Sequence, residues 1–76
     1  MTLFELKKGD RAVVLTVGLA RLTKERLRAL GLFTGEKILI LKVSKRKKVY
    51  LIQTLRTGTK FAIDGETAAG IKIWQT

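Results

Sequence analysis

The stretch that decides the fold is RLRALGLFTGEKI, which runs from residue 26 to residue 38. It begins in a short amphipathic segment, passes through Gly31 and Gly35, and continues into an apolar run. A left-handed glycine commonly ends a helix, and Gly31 stands directly after the last residue of the segment. Gly35 suits a tight turn that leads into a strand. We therefore predict one helix of about eight residues that is capped by Gly31 and joined to a strand by a turn at Gly35.

The helix is predicted to start at Thr23, because its hydroxyl can accept a hydrogen bond from a backbone N–H of the first turn. Leu22 and Leu27 have the spacing of a hydrophobic staple, and Leu27 and Leu30 share one face of the helix. So short a helix is marginal on its own. We expect these leucines to pack on a sheet and the basic residues of the helix to face outward.

The rest of the chain consists of short β-like segments separated by turn signals. Strands are predicted at residues 11–17, 37–44, 49–55, 60–63 and 71–74, and Asp64 is expected to cap a single helical turn. Closing a small sheet into a barrel removes its exposed edges. The expected fold is therefore an all-β, SH3-like barrel of five to six short strands, with one short helix inserted after the first long strand. Residues 1–76 are expected to form this single domain.

The composition argues against catalysis, because the 76 residues include neither Cys nor His. No Ser–His or Cys–His nucleophile can be assembled, and no thiolate or imidazole is available to a transition metal. The six carboxylates are scattered along the chain. We therefore expect a protein that is not an enzyme, with no catalytic residue and no metal site.

The distribution of apolar residues predicts a cytoplasmic protein. A charge interrupts the apolar patch near Met1 before the core of a signal peptide could form. The longest apolar runs, such as residues 38–41, are far shorter than the roughly 20 residues of a membrane span. We expect neither a signal peptide nor a membrane span.

The formal net charge is +10, and its densest cluster is KRKK at residues 45–48, where we predict a hairpin tip. This tip either is a solvated turn or docks on an anionic partner, such as a nucleic acid backbone or an acidic protein or lipid surface. Tyr50 and Trp74 are weak candidates for stacking on bases, whereas Phe61 is expected in the core.

The apolar turn around Gly31 is a second candidate site. Leu30, Leu32 and Phe33 either cap the core of the barrel or form a partly exposed groove. A partly exposed apolar groove is a common means of recognising another protein chain.

Three motifs along the chain occur together in one known family. They are LxxLxxG at residues 3–9, RLxxLGLxxGxxI at residues 26–38 and AAxIxI at residues 68–73. In this combination the sequence resembles the FeoA-type ferrous iron transport accessory proteins over essentially its whole length. The same core domain also occurs at the C-terminus of iron-dependent repressors. Relatives often carry glycine and proline in the hairpin where this chain has KRKK.

The resemblance implies a small SH3-like domain that binds and modulates a membrane-embedded G-protein ferrous iron transporter at its cytoplasmic side. Such a protein needs no cofactor, and its partner would hold it at the inner face of the membrane. Gly31 and Gly35 would form the structural turn of this surface. The partner-binding residues would be Arg26, Leu30, Leu32, Phe33, Arg46 and Lys47.

Two alternatives remain open at the level of sequence. A basic SH3-like barrel could bind RNA or DNA through residues 45–48 and Arg56. A stand-alone relative of the repressor domain could instead act by self-association.

Overall fold

The fold is a five-stranded antiparallel sheet with two α-helices, as described for residues 1–44, 46 and 48–76 by a computed structural model. The strand order in the sheet is β4-β3-β2-β1-β5. The expected architecture is confirmed, and the strand ends differ from the predicted bounds by no more than one residue. In chain order the elements are a 3-10 helix at Leu3–Glu5, β1 (Arg11–Val17), α1 (Arg21–Ala29), β2 (Lys37–Ser44), β3 (Val49–Thr54), β4 (Lys60–Asp64), α2 (Gly65–Ala69) and β5 (Ile71–Gln75).

Strand β1 pairs with both β2 and β5, so it joins the last strand of the chain to the rest of the sheet. Ala12 stands opposite Ile38 of β2 on one side and opposite Gln75 of β5 on the other. The register shifts at Leu15 in the pairing of β1 with β5, and at Leu41 in the pairing of β2 with β3. Such bulges bend a strand and increase its twist. The sheet can therefore curl around one core.

The core is built from the alternation of inward and outward side chains along each strand. The inward residues of all five strands are buried, and the 3-10 helix, α1 and α2 add further apolar side chains. Phe61 packs against this cluster, as predicted. The buried apolar residues are Leu3, Leu6, Ala12, Val14, Val17, Leu27, Leu32, Ile38, Ile40, Tyr50, Ile52, Ile63, Ala68, Ile71 and Ile73.

The start of α1 differs from the prediction. Ala20 is the N-cap residue, and its carbonyl accepts a hydrogen bond from the Lys24 N–H at 2.9 Å. Thr23 already lies inside the helix, so its assignment as the cap was wrong. Leu22 is 72% exposed, so the staple is absent, and Leu27 is the one buried residue of the helix. This helix of two to three turns therefore presents little of its surface to the core.

The end of α1 agrees with the prediction. Gly31 has φ +96°, and its N–H donates to the carbonyl of Arg28 at 3.0 Å. The next N–H, of Leu32, donates to the carbonyl of Leu27 at 2.8 Å. These two bonds form a Schellman motif, which satisfies the last carbonyls of the helix. Gly35 also has a positive φ, +91°, and forms the predicted turn into β2.

The predicted cap at Asp64 is confirmed as the N-cap of α2. Its carboxylate accepts a hydrogen bond from the Thr67 N–H at 2.7 Å. Hydrogen bonding with Thr67 holds the pKa of Asp64 below its ordinary value, because these bonds favour the charged carboxylate. This carboxylate therefore fixes the turn between β4 and β5.

Tyr50 is a core residue and does not offer its ring to a base. Its hydroxyl donates to the carbonyl of Phe4 at 2.6 Å, and the two ring centres lie 6.0 Å apart. The side chain is buried on the inner face of β3, so its assignment as a stacking candidate was wrong. Burial raises the pKa of Tyr50, since the phenolate would lose its hydration.

We expect Tyr50→Phe to destabilise the protein by about 1 kcal/mol at neutral pH, because it removes the hydrogen bond to Phe4. The folded-state pKa of Tyr50 is raised above the ordinary 10.0. The contribution of the hydroxyl is therefore complete below that pH and is lost as the pH rises through the folded-state pKa. Denaturant unfolding of both proteins across this alkaline range should show the difference shrinking. A constant difference would contradict this account.

Candidate binding surface

Phe33 is the centre of the candidate site. It lies half-buried in the loop between α1 and β2. The guanidinium carbons of Arg28 and Arg56 each lie 5.5 Å from the centre of its ring. This distance is within the range of cation–π attraction. Arg28 comes from the last turn of α1 and Arg56 from the hairpin between β3 and β4, so the fold brings two distant segments to one ring.

Glu36 holds Arg56 in place beside Phe33. One carboxylate oxygen, Oε1, lies 3.1 Å from Nη2 of Arg56, and the Glu36 side chain is nearly buried. The Glu36 N–H also donates to the carbonyl of Phe33 at 3.1 Å. Arg56 was proposed from the sequence as a nucleic acid contact, but in the structure it is engaged with Glu36 and Phe33. This arrangement orders the ring and the guanidinium before any partner arrives.

A cleft of about 230 Å³ lies beside Phe33, between α1 and the loop that follows it. Apolar atoms and cationic or hydroxyl groups line it together. A cleft with this lining suits an apolar side chain next to an anionic group. Its lining residues are Val17, Lys24, Arg28, Leu32, Phe33 and Thr34. We refer to Lys24, Arg28, Phe33 and Arg56, with this cleft, as the Phe33 surface.

The electrostatics of the Phe33 surface follow from where the carboxylates are engaged. Glu25 pairs with Arg21, and Glu36 pairs with Arg56. Three more carboxylates accept backbone N–H bonds in their own turns: Glu5, Asp10 and Asp64. The sixth, Glu66, is exposed on α2. The ion pairs among the described residues are those of Arg21 and Arg56, so Lys24 and Arg28 have no acidic partner there. The potential at the cleft is positive and favours an anionic ligand.

The sequence-predicted contact residues of the helix and loop differ in their exposure to solvent. Leu30 is 41% exposed, and Phe33 is partly exposed beside the cleft. Arg26 is exposed on the last turn of α1. Leu32 is only 1% exposed, so its assignment as a partner contact was wrong. It is the residue that follows the left-handed Gly31, and the chain direction there turns its side chain into the core.

The predicted contacts on the β2–β3 hairpin are only partly described. Arg46 is exposed in a turn between these strands, as expected for a hairpin tip. Lys47, a predicted partner contact, lies outside the described residues, and so does Lys45.

Lys24 and Arg28 were not among the predicted contacts, and Arg56 was predicted only as a contact for nucleic acid. The sequence did contain a signal for Lys24 and Arg28: two basic residues four apart on a helix share one face. Arg56 could not be found this way, since only the tertiary fold places the β3–β4 hairpin next to the helix end.

Two kinds of feature are absent from the part of the chain that the structure describes. In residues 1–44, 46 and 48–76, no helix is long and apolar enough to cross a membrane. The same part of the chain holds no group of three acidic side chains placed to bind a metal ion.

The sheet, the helix after β1 and the glycine-capped turn define a small SH3-like domain. Residues 1–73 match the model of the FeoA domain, and the chain belongs to that family. The family resemblance read from the three sequence motifs is thus confirmed. Among proteins of curated function, none matches the sequence at a significant level.

Solved structures agree with the family and the fold. The FeoA protein of Chlorobium tepidum is 31% identical, with a TM-score of 0.90 over 99% of this chain and 70% of that chain. A zinc complex of Stenotrophomonas maltophilia FeoA, described as a prokaryotic SH3 domain protein, is 29% identical. Its TM-score is 0.78 over 97% of this chain and 89% of that chain. A manganese-dependent transcriptional repressor, 12% identical, has a TM-score of 0.86 over 99% of this chain and 40% of that chain, which shows the shared fold alone.

Proposed function

We propose that this protein is an accessory protein of bacterial ferrous iron uptake. In this role it binds the cytoplasmic side of a membrane-embedded G-protein iron transporter and modulates transport. Membership of the FeoA family supports the role. The Stenotrophomonas maltophilia relative is described as a candidate ferrous iron transport activating factor. The protein works by binding rather than by catalysis, in keeping with a sequence that lacks His and Cys.

The observation that carries the proposal is the Phe33 surface itself. An aromatic ring with two arginines 5.5 Å from its centre combines residue types that dominate binding energy at protein interfaces. The adjoining cleft is cationic and has an apolar lining. We infer that the transporter presents a segment with an apolar side chain next to a carboxylate. The apolar contact supplies affinity, whereas the charges mainly speed association.

A matched pair of leucine variants tests this assignment. Leu30 is the C-cap residue of α1, next to the loop that carries Phe33, whereas Leu22 lies on the first turn of the same helix, and both side chains are exposed. We expect Leu30→Glu to weaken binding to the detergent-solubilised transporter at least about tenfold, because it adds a negative charge at the helix end that adjoins a surface selecting an anionic partner. Leu22→Glu makes the same chemical change and should alter binding less than about twofold.

Binding is measured by pulldown with the purified protein, and iron uptake is measured in cells that express each variant. Circular dichroism first establishes that both variants are folded. Equal losses of binding for the two variants would show that the Phe33 surface does not contact the transporter. Tight binding of nucleic acid that falls steeply with salt and survives Leu30→Glu would favour the alternative of a nucleic acid binder.

A further inference from the structure

The outer face of β1, β2 and β5 carries the most exposed aromatic residue of the described chain. Trp74 is 68% exposed and stands opposite Val13 of β1. Val13 in turn stands opposite Lys37 of β2. Residues directly opposite in antiparallel strands point to the same face of a sheet. Trp74, Val13 and Lys37 therefore form a row across three neighbouring strands, on the side away from the core.

Basic residues surround this row, and acidic residues are absent from it. Arg11 and Lys72 are exposed and alternate with buried neighbours, so they share the outer face with Trp74. Strands β1, β2 and β5 contain no Asp or Glu at any position. We refer to Arg11, Val13, Lys37, Lys72 and Trp74 as the Trp74 face. It combines one exposed indole with three uncompensated positive charges.

The backbone next to the Trp74 face is already paired. The Ile73 N–H donates to the carbonyl of Met1 at 3.0 Å, and Thr2 forms an isolated bridge with Lys72. The Thr76 N–H donates to the carbonyl of Arg11 at 3.0 Å. An incoming strand would have to displace these bonds in order to add to the sheet at β5. Recognition at this face therefore depends on side chains.

We propose that the Trp74 face binds the anionic surface of a phospholipid bilayer. Tryptophan favours the boundary between lipid headgroups and acyl chains, because its ring is apolar and its N–H is polar. Lysine and arginine near an anionic bilayer are attracted by its surface potential. The outer face of a curled sheet is convex, which suits a broad surface better than a grooved partner. This binding requires no transporter, so it stands independently of the proposed function and of the Phe33 surface.

The sequence supplies its own probe, since Trp74 is the one tryptophan of the chain. The purified protein is mixed with vesicles of phosphatidylcholine, and with vesicles of phosphatidylcholine and phosphatidylglycerol in equal amounts. We expect the emission of Trp74 to shift to shorter wavelength with the anionic vesicles alone. Lipids brominated on their acyl chains should quench it, and high salt should reverse the shift. An unchanged spectrum with anionic vesicles would overturn the proposal.

A charge-matched pair of double variants tests where the protein touches the bilayer. Lys37→Gln with Lys72→Gln should weaken binding to anionic vesicles roughly 30-fold, because each basic residue near the surface contributes about a fivefold factor. Lys24→Gln with Arg26→Gln removes the same charge from α1 and should weaken binding less than about threefold. Equal losses in the two pairs would show that net charge alone drives binding, and would overturn the assignment to the Trp74 face.

Two further outcomes would also overturn it. One is a dimer in sedimentation that buries Trp74 without lipid and is abolished by Trp74→Ala. The other is a larger response of Trp74 emission to double-stranded DNA than to anionic vesicles at the same salt concentration. Co-sedimentation of Trp74→Ala with anionic vesicles completes the series, since loss of the indole should reduce binding while the protein stays folded.

Discussion

Leu32→Glu is expected to remove much or all of the stability of the fold, whereas Leu30→Glu, two residues earlier, leaves it nearly unchanged. Leu32 is 1% exposed and follows the helix cap into the core. A carboxylate there would lose both its hydration and the packing of the leucine, which costs about 4 kcal/mol or more. The whole stability of a domain of this size is only about 4–11 kcal/mol. Circular dichroism and urea unfolding of both variants measure the contrast.

Two conservative changes separate the loss of packing from the burial of charge. Leu32→Met nearly keeps the volume and should cost less than about 1.5 kcal/mol, whereas Leu32→Ala leaves a cavity and should cost about 2–5 kcal/mol. Leu30 is 41% exposed, and its change to Glu should alter stability by no more than about 0.5 kcal/mol. A stable, folded Leu32→Glu protein would mean that this side chain reaches solvent.

Gly31→Val should lower the free energy of unfolding by about 1–2 kcal/mol and the melting temperature by about 5–15 °C. Gly31 has φ +96°, where a β-branched residue is strained. A Cβ at this position would lie 3.5 Å from Cγ2 of Thr54, which is ordinary contact. The Cβ therefore fits, and the main cost of the substitution is the strained backbone. The γ-methyl groups of valine add crowding against buried Thr54.

Gly31→Asn is the matched control, because asparagine tolerates the left-handed region better than other residues do. We expect stability in the order Gly, Asn, Ala, Val, measured by thermal unfolding followed by circular dichroism. Equal melting temperatures for all four proteins would show that residue 31 does not need this conformation.

The strands and the helix end could be predicted because their determinants are local. Alternation along β3 placed Tyr50 and Ile52 on one face, and the glycines at 31 and 35 marked where the chain turns. The start of the helix could not be predicted in this way, because Ala20 caps the helix with its backbone and makes no side-chain hydrogen bond. The sequence favoured Thr23 on its side chain alone. A cap made by the backbone leaves no signal in the residue type, so the sequence pattern missed Ala20.

The candidate site was predictable only in part, for the same reason. Phe33 and Leu30 followed from an apolar turn in a small domain. The opposite exposure of Leu30 and Leu32 depends on the rotation of the chain at Gly31, and the position of Arg56 depends on the packing of a distant hairpin. The family motif marked Leu32 as important, and the structure shows that this importance lies in the core.

The pairing of β1 with β5 has a consequence for biosynthesis. Strands β2, β3 and β4 are joined by hairpins and can pair as soon as they emerge from the ribosome, whereas one side of β1 waits for the last strand to be made. Until then, the nascent chain presents an unpaired edge that carries Val13, Val14 and Leu15, which is a template for wrong association. Closing the sheet joins residues from opposite ends of the chain, so this step is slow in comparison with the hairpins. Slower synthesis of the last residues should therefore lower the soluble yield of the protein, although the molecules that do fold are unchanged. Deletion of β5 should lower the yield further.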